Sequence, residues 1–193
     1  MPDRTAAASL APAAATRIAR PASQCGSATT SRTLIPKRAD ESATETVHVV
    51  LPNDANPLGF ILGGTVMHLI DMAGAIACHR HTRSLLVTAA VDDLQFLNSI
   101  KIGDLIILRA RVTCVFTTSL EVQVDVFSEE ILTGVRQQTS RAFLTFVSVN
   151  GEGGRLPVPP LIVETDQERR VCEQAHARRA ERLKRKAGAT NSL

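Results

Sequence analysis

The sequence has no tryptophan and no tyrosine, and phenylalanine occurs only six times in 193 residues. Aromatic platforms on which the bases of single-stranded nucleic acid stack are therefore scarce. Basic charge is also missing from the middle of the chain: residues 41–164 carry thirteen acidic and eight basic side chains, and the basic excess lies in residues 1–40 and 165–187. A basic nucleic-acid surface on a central domain is not supported, and we expect no nucleic-acid partner.

Closely spaced cysteines are also absent. The four cysteines, Cys25, Cys78, Cys114 and Cys172, are far apart, and none belongs to a C-x-x-C pair. Cys78 and Cys114 lie inside apolar runs, where a free thiol behaves as a small hydrophobic side chain. We therefore expect no disulfide framework and a reducing compartment, which favours the cytoplasm.

No apolar run reaches the ~18 residues of a membrane span, and the N-terminal region has no continuous apolar segment typical of a secretory signal. Residues 1–40 are rich in Ala, Ser, Thr and Arg and show no sustained periodicity. Such composition predicts a disordered extension. Two interpretations stay open for it: a transit peptide for a mitochondrial or plastid matrix, or an extension of no fixed role.

The remaining pattern predicts an α+β fold. A β-branched segment at 44–52 is followed by a turn-forming loop, and Gly63-Gly64 opens an apolar helix at 64–80 that is expected to be buried on most sides. Four strands are predicted at 85–98, 104–116, 119–130 and 134–150, and their short connections favour antiparallel pairing. We place the domain at 41–155 and a linker with a basic C-terminal helix at 156–193, a solvated terminal helix being favoured over a nucleic-acid arm.

The buried helix carries one carboxylate, Asp71, whose charge is costly there unless it is paired or functional. The glycine pair Gly63-Gly64 leaves unpaired backbone N–H groups at the helix start, which suit a carbonyl oxygen that develops negative charge. Asp71 lies about 10 Å along the helix axis from Gly64. The two therefore meet most easily if two subunits pack helix against helix, which hints at a site shared in a dimer.

The sequence offers few other catalytic groups. No G-x-S-x-G nucleophile elbow is present. His48, His68, His79 and His81 show no metal-site spacing, His79-x-His81 is predicted to be a solvated helix end, and the apolar surroundings of Cys78 favour an inert thiol. We expect no metal and no cofactor. Carboxylate-driven attack on an activated acyl group remains, and a thioester suits it because its thiolate leaves with little acid assistance.

The segments "NPLGFILGGTVMHLIDMAGAIACHRH" (56–81) and "VDDLQFLNSIKIGDLIILRARVTCVFTTSLEVQVDVFSEEILTG" (91–134) resemble the hot-dog-fold acyl-CoA thioesterases, in particular the group that includes the cytosolic brain-type enzymes. The resemblance covers about residues 44–150. Its motif falls on Asn56, Gly59 and Gly63-Gly64, and the family's helix carboxylate falls on Asp71.

This resemblance implies an antiparallel sheet of five or six strands wrapped around one long central helix. It also implies homodimers, commonly assembled as trimers of dimers (homohexamers), with sites at the dimer interface that pair the loop Asn56 of one subunit with Asp71 of the other. The backbone N–H of Gly64, next to Gly63, would stabilise the oxyanion. Thr117, Thr118 and Ser119 match a segment that lies near bound coenzyme A in relatives, although a polar hairpin explains them equally well.

The leading hypothesis is an acyl-CoA thioesterase that releases free fatty acid and coenzyme A. In it, Asp71 acts as general base or nucleophile, and Asn56 orients the water or the carbonyl. Two alternatives stay open. One is a non-catalytic hot-dog module that binds acyl-CoA; the other is a 3-hydroxyacyl thioester dehydratase, which would need a histidine such as His68 beside the acid.

Overall fold

A computed structural model describes residues 34–190, of which the side chains of 189 and 190 are not described. The elements, in chain order, are the strands and helices β1 (Lys37–Arg38), β2 (Thr44–Val49), α1 (Gly63–Thr82), β3 (Leu85–Phe96), β4 (Leu105–Val115), β5 (Ser119–Glu129), β6 (Arg136–Val149), β7 (Leu161–Ile162) and α2 (Asp166–Thr190). Short 3-10 turns occur at Asp40–Ser42 and Pro52–Asp54. The predicted strands and helices are confirmed to within three residues at each end.

Five strands form one antiparallel sheet in the order β2-β4-β5-β6-β3. Alternation along β5 explains how the sheet covers α1: Val122, Val124 and Val126 are fully buried in the core, whereas the residues between them face the opposite side. α1 packs against β4 and β5 through Val66, Ile70 and neighbouring small residues. The predicted α+β class, one long helix covered by an antiparallel sheet, is confirmed.

One face of α1 does not match the prediction of a helix buried on most sides. Met67 and Met72 are 47% and 49% exposed in the single chain. The buried face is narrow because α1 contacts the sheet on one side only, where Gly74 lets the helix approach closely. A Cβ on Gly74 would lie 3.1 Å from Val122 Cγ1 and 3.2 Å from Phe146 Cε2. Apolar composition alone therefore overstated the burial of this helix.

The C-terminal end of α1 corrects a second expectation. His79 is exposed as predicted, but His81 is fully buried, and its Nε2 lies 3.0 Å from the carbonyl oxygen of Pro159. Residues 156–160 fold back across this helix end, and nothing in the His-x-His spacing indicates that. Burial lowers the pKa of His81, since its charged form would lose hydration.

A β-bulge overturns the prediction for Cys114. β4 pairs with β5 in regular register up to Val112↔Val122, but the next pair is Cys114↔Glu121, with Thr113 as the extra residue. The bulge turns Cys114 from the core face to the Glu121 face, where it forms a disulfide with Cys172 of α2 at a Cα–Cα distance of 4.8 Å. The expectation of no disulfide is therefore wrong for these two cysteines, which are 58 residues apart in the sequence. Cys25 lies outside the described residues.

α2 packs against the sheet face opposite α1 and is not a purely solvated helix. It begins with a capping box in which Thr165 and Glu168 exchange hydrogen bonds between side chain and backbone. The Glu168 carboxylate accepts hydrogen bonds from the backbone N–H groups of Thr165 and Glu164, and both bonds lower the pKa of Glu168. Ala175 is fully buried, and Arg178 reaches a sheet carboxylate. Sequence pattern missed this because the contacting residues are mostly charged.

The segment before β2 also pairs with the segment between β6 and α2. β1 runs parallel to β7, with Lys37 opposite Leu161. Regular structure therefore begins before the boundary predicted at residue 40, while the predicted disorder of residues 1–33 falls outside the described part. Within that part, no helix combines the length and hydrophobicity required to cross a bilayer.

Candidate active site at the helix N-terminus and strand β3

Asn56 organises the loop that leads into α1. Its Oδ1 accepts hydrogen bonds from the backbone N–H groups of Leu58 (2.9 Å) and Phe60 (3.3 Å). The turn it closes needs Gly59, which has a φ of 80°, in the region that favours glycine. Asn56 is therefore a loop-forming residue in this chain, and its amide nitrogen is the group left for a ligand.

The start of α1 presents backbone donors. The first helical hydrogen bond of α1 runs from Val66 N to the carbonyl oxygen of Leu62. The N–H groups of Gly63, Gly64 and Thr65 come before this first helical donor and have no acceptor within the helix. Leu62 occupies the N-cap position and provides no side-chain cap. Gly64 is exposed, and a Cβ there would meet no atom within 4 Å. A ligand oxygen can therefore approach this backbone closely.

Asn56 and Gly63 line one cleft of about 320 Å³. Its walls are mainly apolar, with Phe96 of β3 lying 3.6 Å from the position that a Cβ on Gly63 would occupy. Ser99 and Ser140 add hydroxyl groups. The structure therefore places Asn56 and the N-terminus of α1 at one cleft.

Asp71 lies outside this cleft, two turns further along α1. Its Oδ1 accepts a 2.7 Å hydrogen bond from Thr88 Oγ1 of β3, and among residues 34–190 no hydrogen bond to the second carboxylate oxygen is present. Asp71 is half-buried and Thr88 is exposed, so the pair is open to a ligand. Thr88 was missed in the sequence because a threonine within a β-branched strand has a sufficient structural explanation.

Two neighbours of Asp71 are excluded as reactive groups. Cys78 is fully buried, and its burial, aided by the negative charge of Asp71, raises the pKa of its thiol well above its usual range. His68 lies in a separate cleft with His48 and Asp54, and the carboxylate of Asp71 is bonded to Thr88 instead.

The hairpin of Thr117, Thr118 and Ser119 is not part of the Asn56 cleft. The carbonyl oxygens of Thr117 and Thr118 accept hydrogen bonds from Val158 N and Ser148 N, which fixes the turn against the end of β6. Through the sheet register, Ser119 pairs with Val147, and Val147 pairs with Val87, next to Thr88. Two strand spacings therefore separate the hairpin from the Asp71–Thr88 pair, about 10 Å.

β3 is an edge strand with an exposed apolar surface. Leu85 and Val87, on the sheet face opposite α1, are 59% and 50% exposed. Phe96, on the α1 face, is 53% exposed, and Met67 and Met72 of α1 are also exposed. A 12-residue edge strand of this kind offers free backbone groups and apolar side chains for pairing with another strand. Thr88 lies within this edge, so whatever covers it also approaches Asp71.

Comparison with known proteins identifies the family. A family model for the thioesterase superfamily matches residues 58–135. The uncharacterized acyl-CoA thioester hydrolase YkhA of Bacillus subtilis is 39% identical over 137 residues, which are 71% of this chain and 80% of that protein. The rat cytosolic acyl coenzyme A thioester hydrolase is 33% identical over 157 residues, which are 80% of this chain. This chain spans only 41% of the rat enzyme's length.

Solved structures agree with these matches. A hexameric acyl-CoA thioesterase is 40% identical with a TM-score of 0.75, and the match covers 79% of this chain and 98% of that one. An acyl-CoA hydrolase from Staphylococcus aureus, solved with butyryl coenzyme A and coenzyme A, is 31% identical with a TM-score of 0.74 over 81% of this chain and 95% of that one. The chain belongs to the thioesterase superfamily, among the hot-dog-fold acyl-CoA thioester hydrolases.

Proposed function

We propose that the protein is an acyl-CoA thioesterase that hydrolyses acyl-CoA to a free fatty acid and coenzyme A. The observation that carries this proposal is the Asp71 carboxylate, oriented by Thr88 on one oxygen and open on the other, at the exposed edge of the sheet. The N-terminus of α1 with Asn56 supplies the donors that such a reaction needs. Family membership supports the substrate class.

A spacing match supports the choice of residues. The S. aureus hydrolase has been solved as three alanine variants, of an asparagine, an aspartate fifteen residues later and a threonine seventeen residues after that. Asn56, Asp71 and Thr88 have the same residue types at the same separations. Thr88 therefore joins the two residues that the sequence motif indicated.

In the proposed reaction, Asp71 accepts a proton from water as that water attacks the thioester carbonyl carbon. The carbonyl oxygen becomes an oxyanion, which the N–H of Gly64 stabilises. When the intermediate collapses, the C–S bond breaks and coenzyme A leaves as a thiolate, which then takes up a proton. Direct attack by Asp71, giving an anhydride that water hydrolyses, fits the same geometry.

The site is completed by a second copy of the chain. Isologous antiparallel pairing of two β3 edges, centred near the middle of the strand, brings the partner subunit's Phe96 end beside Thr88. Because Gly63 lies against Phe96, this pairing carries the partner subunit's Gly63 and Asn56 toward Asp71. We propose a homodimer with two such sites, and the hexameric relative supports assembly into a trimer of dimers. We propose that bound coenzyme A extends toward the Thr117–Ser119 hairpin, which lies two strand spacings from Thr88.

The alternatives have less support. A dehydratase needs a histidine at the acid, and His68 lies in another cleft. A non-catalytic acyl-CoA-binding module does not require an oriented carboxylate with an open oxygen. The cytosolic mammalian relatives support a cytoplasmic location, with an organelle matrix as the alternative if residues 1–40 act as a transit peptide.

The test is an acyl-CoA panel of increasing chain length with a thiol reagent that reports free coenzyme A. Wild type should turn over at least one chain length, and Asp71→Asn, which preserves shape, should lose at least ~100-fold in kcat. Asp166→Asn, an exposed carboxylate of α2, is the matched control and should retain full rate. Binding of acyl-CoA without release of thiol would favour the binding module. Full activity of folded Asp71→Asn would overturn the assignment.

A further inference from the structure

The disulfide between β4 and α2 has a third group beside it. Cys114, Cys172 and His176 each contribute one ligand atom, and the three atoms lie within 4.8 Å of one another. Cys172 and His176 are four residues apart in α2, so they lie on one face of the helix, one turn apart. Cys114 approaches from the strand beneath them. No step of the proposed hydrolysis uses this cluster.

Two local features direct these groups toward one another. The β-bulge at Thr113 turns Cys114 out of the core and toward α2, where regular alternation would have buried it among the valines. The His176 ring packs edge-on against Phe116, with centroids 5.1 Å apart and an interplanar angle of 86°. The fold therefore positions both Cys114 and His176 in this cluster.

We propose that Cys114, Cys172 and His176 form a zinc site when the disulfide is reduced. Two thiolates and one imidazole form a ligand set that favours Zn²⁺ over the other abundant divalent ions. Three protein ligands leave the fourth tetrahedral position to water. The ligand atoms need only small side-chain rotations to reach the ~3.5–4 Å separations that tetrahedral Zn–S and Zn–N bonds impose. The site alternates between a covalent and a metal-bound link from α2 to the sheet.

Conversion of the disulfide into the zinc site requires two electrons, which a dithiol can supply as reductant. Two electrons pass from the dithiol to the Cys114–Cys172 bond, two protein thiols form, and the reductant becomes a cyclic disulfide. Zinc binding then forms two Zn–S bonds and one Zn–N bond and releases two protons from the thiols to solvent. A reducing compartment keeps the first step favourable, which agrees with the proposed cytoplasmic location.

Access to the cluster is open on one side. Cys114 is buried, Cys172 is partly exposed and His176 is exposed, so an ion or a reductant enters from the helix side. Cys172 also lines a cleft of about 430 Å³ together with Phe116 and Thr117.

The experiment uses the full chain, freed of metal and split into an oxidised sample and a sample reduced by a phosphine. Each is dialysed against zinc chloride and then against buffer, and retained zinc is measured per chain by mass spectrometry. We expect about one zinc per reduced chain and none above background in the oxidised chain. Cobalt(II) added to the reduced chain should give a thiolate-to-cobalt charge-transfer band in the near ultraviolet.

Variants assign the ligands. Cys172→Ser and His176→Ala should each weaken zinc binding at least ~100-fold and diminish or remove the cobalt band. Cys25→Ser and His48→Ala, which leave the cluster intact, should bind as wild type does. Circular dichroism checks that each variant is folded. Retention of zinc by folded Cys172→Ser, equal binding by the oxidised chain, or no binding by the reduced chain would each overturn the proposal. Thioesterase turnover is a separate readout, so this result does not depend on the proposed function.

Discussion

At the residue scale, the hydrogen bond between Thr88 and Asp71 divides the two carboxylate oxygens between different tasks. The 2.7 Å bond fixes Oδ1, and in the proposed mechanism Oδ2 takes up the proton of the attacking water. A hydrogen bond to a charged group is worth about 1.5–3 kcal/mol, and here that energy holds the carboxylate in the reactive orientation. The threonine thus acts through Asp71 as a positioning residue in the proposed mechanism.

Replacing Thr88 with valine should therefore slow the reaction without abolishing substrate binding. We expect kcat to fall about 10- to 100-fold, with KM nearly unchanged, because the shape is retained and only the hydroxyl is lost. Thr88→Ser, which restores the hydroxyl, should recover most of the rate. Steady-state kinetics on the best acyl-CoA of the panel measures both constants, and equal rates for Thr88→Val and wild type would remove Thr88 from the mechanism.

The buried His81 predicts a pH dependence of stability. Its surroundings are the Pro159 carbonyl, Lys37 and Glu41, and burial is the largest influence on its pKa, which is lowered from 6.5. The unfolded chain consequently takes up this proton at higher pH than the folded chain does. The free energy of unfolding should decrease as pH falls below about 6.5 and continue to decrease down to the lowered folded pKa.

Urea unfolding at pH 7.5, 6.5 and 5.5 measures this slope. His81→Gln, which retains a donor for the Pro159 carbonyl but does not titrate, should flatten the dependence. His79→Gln is the matched control at an exposed position two residues away, and its slope should equal that of wild type. Identical slopes for wild type and His81→Gln would show that this residue is not the source.

At the scale of elements, α2 is attached to the sheet by the Cys114–Cys172 disulfide and by ion pairs with two carboxylates that the sheet buries. Arg178 makes a bidentate ion pair with Glu121, at 2.7 Å and 3.0 Å, and its guanidinium lies 3.8 Å from the Phe143 ring centroid. The Glu121 side chain is 1% exposed. Arg182 forms a second pair with Asp92 of β3, whose side chain is 2% exposed.

Removing Arg178 should therefore cost far more than removing a surface arginine. Arg178→Ala leaves Glu121 buried without its charge partner, and we expect the free energy of unfolding to fall by about 3 kcal/mol. Arg109→Ala breaks the Arg109–Glu45 pair, in which both side chains are about half exposed, and should cost less than about 1 kcal/mol. Denaturant titrations of the two variants, with the disulfide intact in both, measure these changes. Equal decreases in the free energy of unfolding for Arg178→Ala and Arg109→Ala would contradict a stabilising role of the buried ion pair.

Sequence pattern was sufficient for the elements with strong periodicity and insufficient for contacts between distant segments. The alternation in β5 and the glycine pair at the start of α1 predicted the bounds of these two elements with little error. Local sterics and the burial of one face determine such bounds, and both are encoded in neighbouring residues. The bulge at Thr113 breaks the alternation by one residue, and no local signal in the sequence shows it. Docking of α2 depends on Arg178 and Arg182 meeting carboxylates that lie 57 and 90 positions away.

The candidate site shows the same division. Asp71 follows from a charge in an apolar helix, which is a local signal, whereas Asn56 follows from the motif that the family resemblance supplies. The role of Thr88 can be recognised only from the packing of β3 against α1, because its hydroxyl group donates to Asp71 from seventeen residues away in the chain.

At the scale of the whole molecule, one chain contains both halves of the proposed site but does not join them. Asn56 lines the cleft at the start of α1, and Asp71 lies outside it, beside the exposed edge of β3. The exposed edge strand and the distance of about 10 Å along the helix between Gly64 and Asp71 both favour a site built from two subunits. A homodimer would then contain two equivalent sites, each with Asn56 from one chain and Asp71 from the other.

This arrangement predicts complementation between two inactive variants. Asn56→Ala and Asp71→Ala homo-oligomers should each be nearly inactive, since every site in them lacks one residue. When the two variants are unfolded together and reassembled, random pairing makes half of the dimers mixed. Each mixed dimer holds one intact site and one site that lacks both residues. Activity should return to roughly a quarter of the wild-type value with independent sites. Native mass spectrometry verifies the exchange, and mixed dimers without recovered activity would mean that each site is built within one subunit.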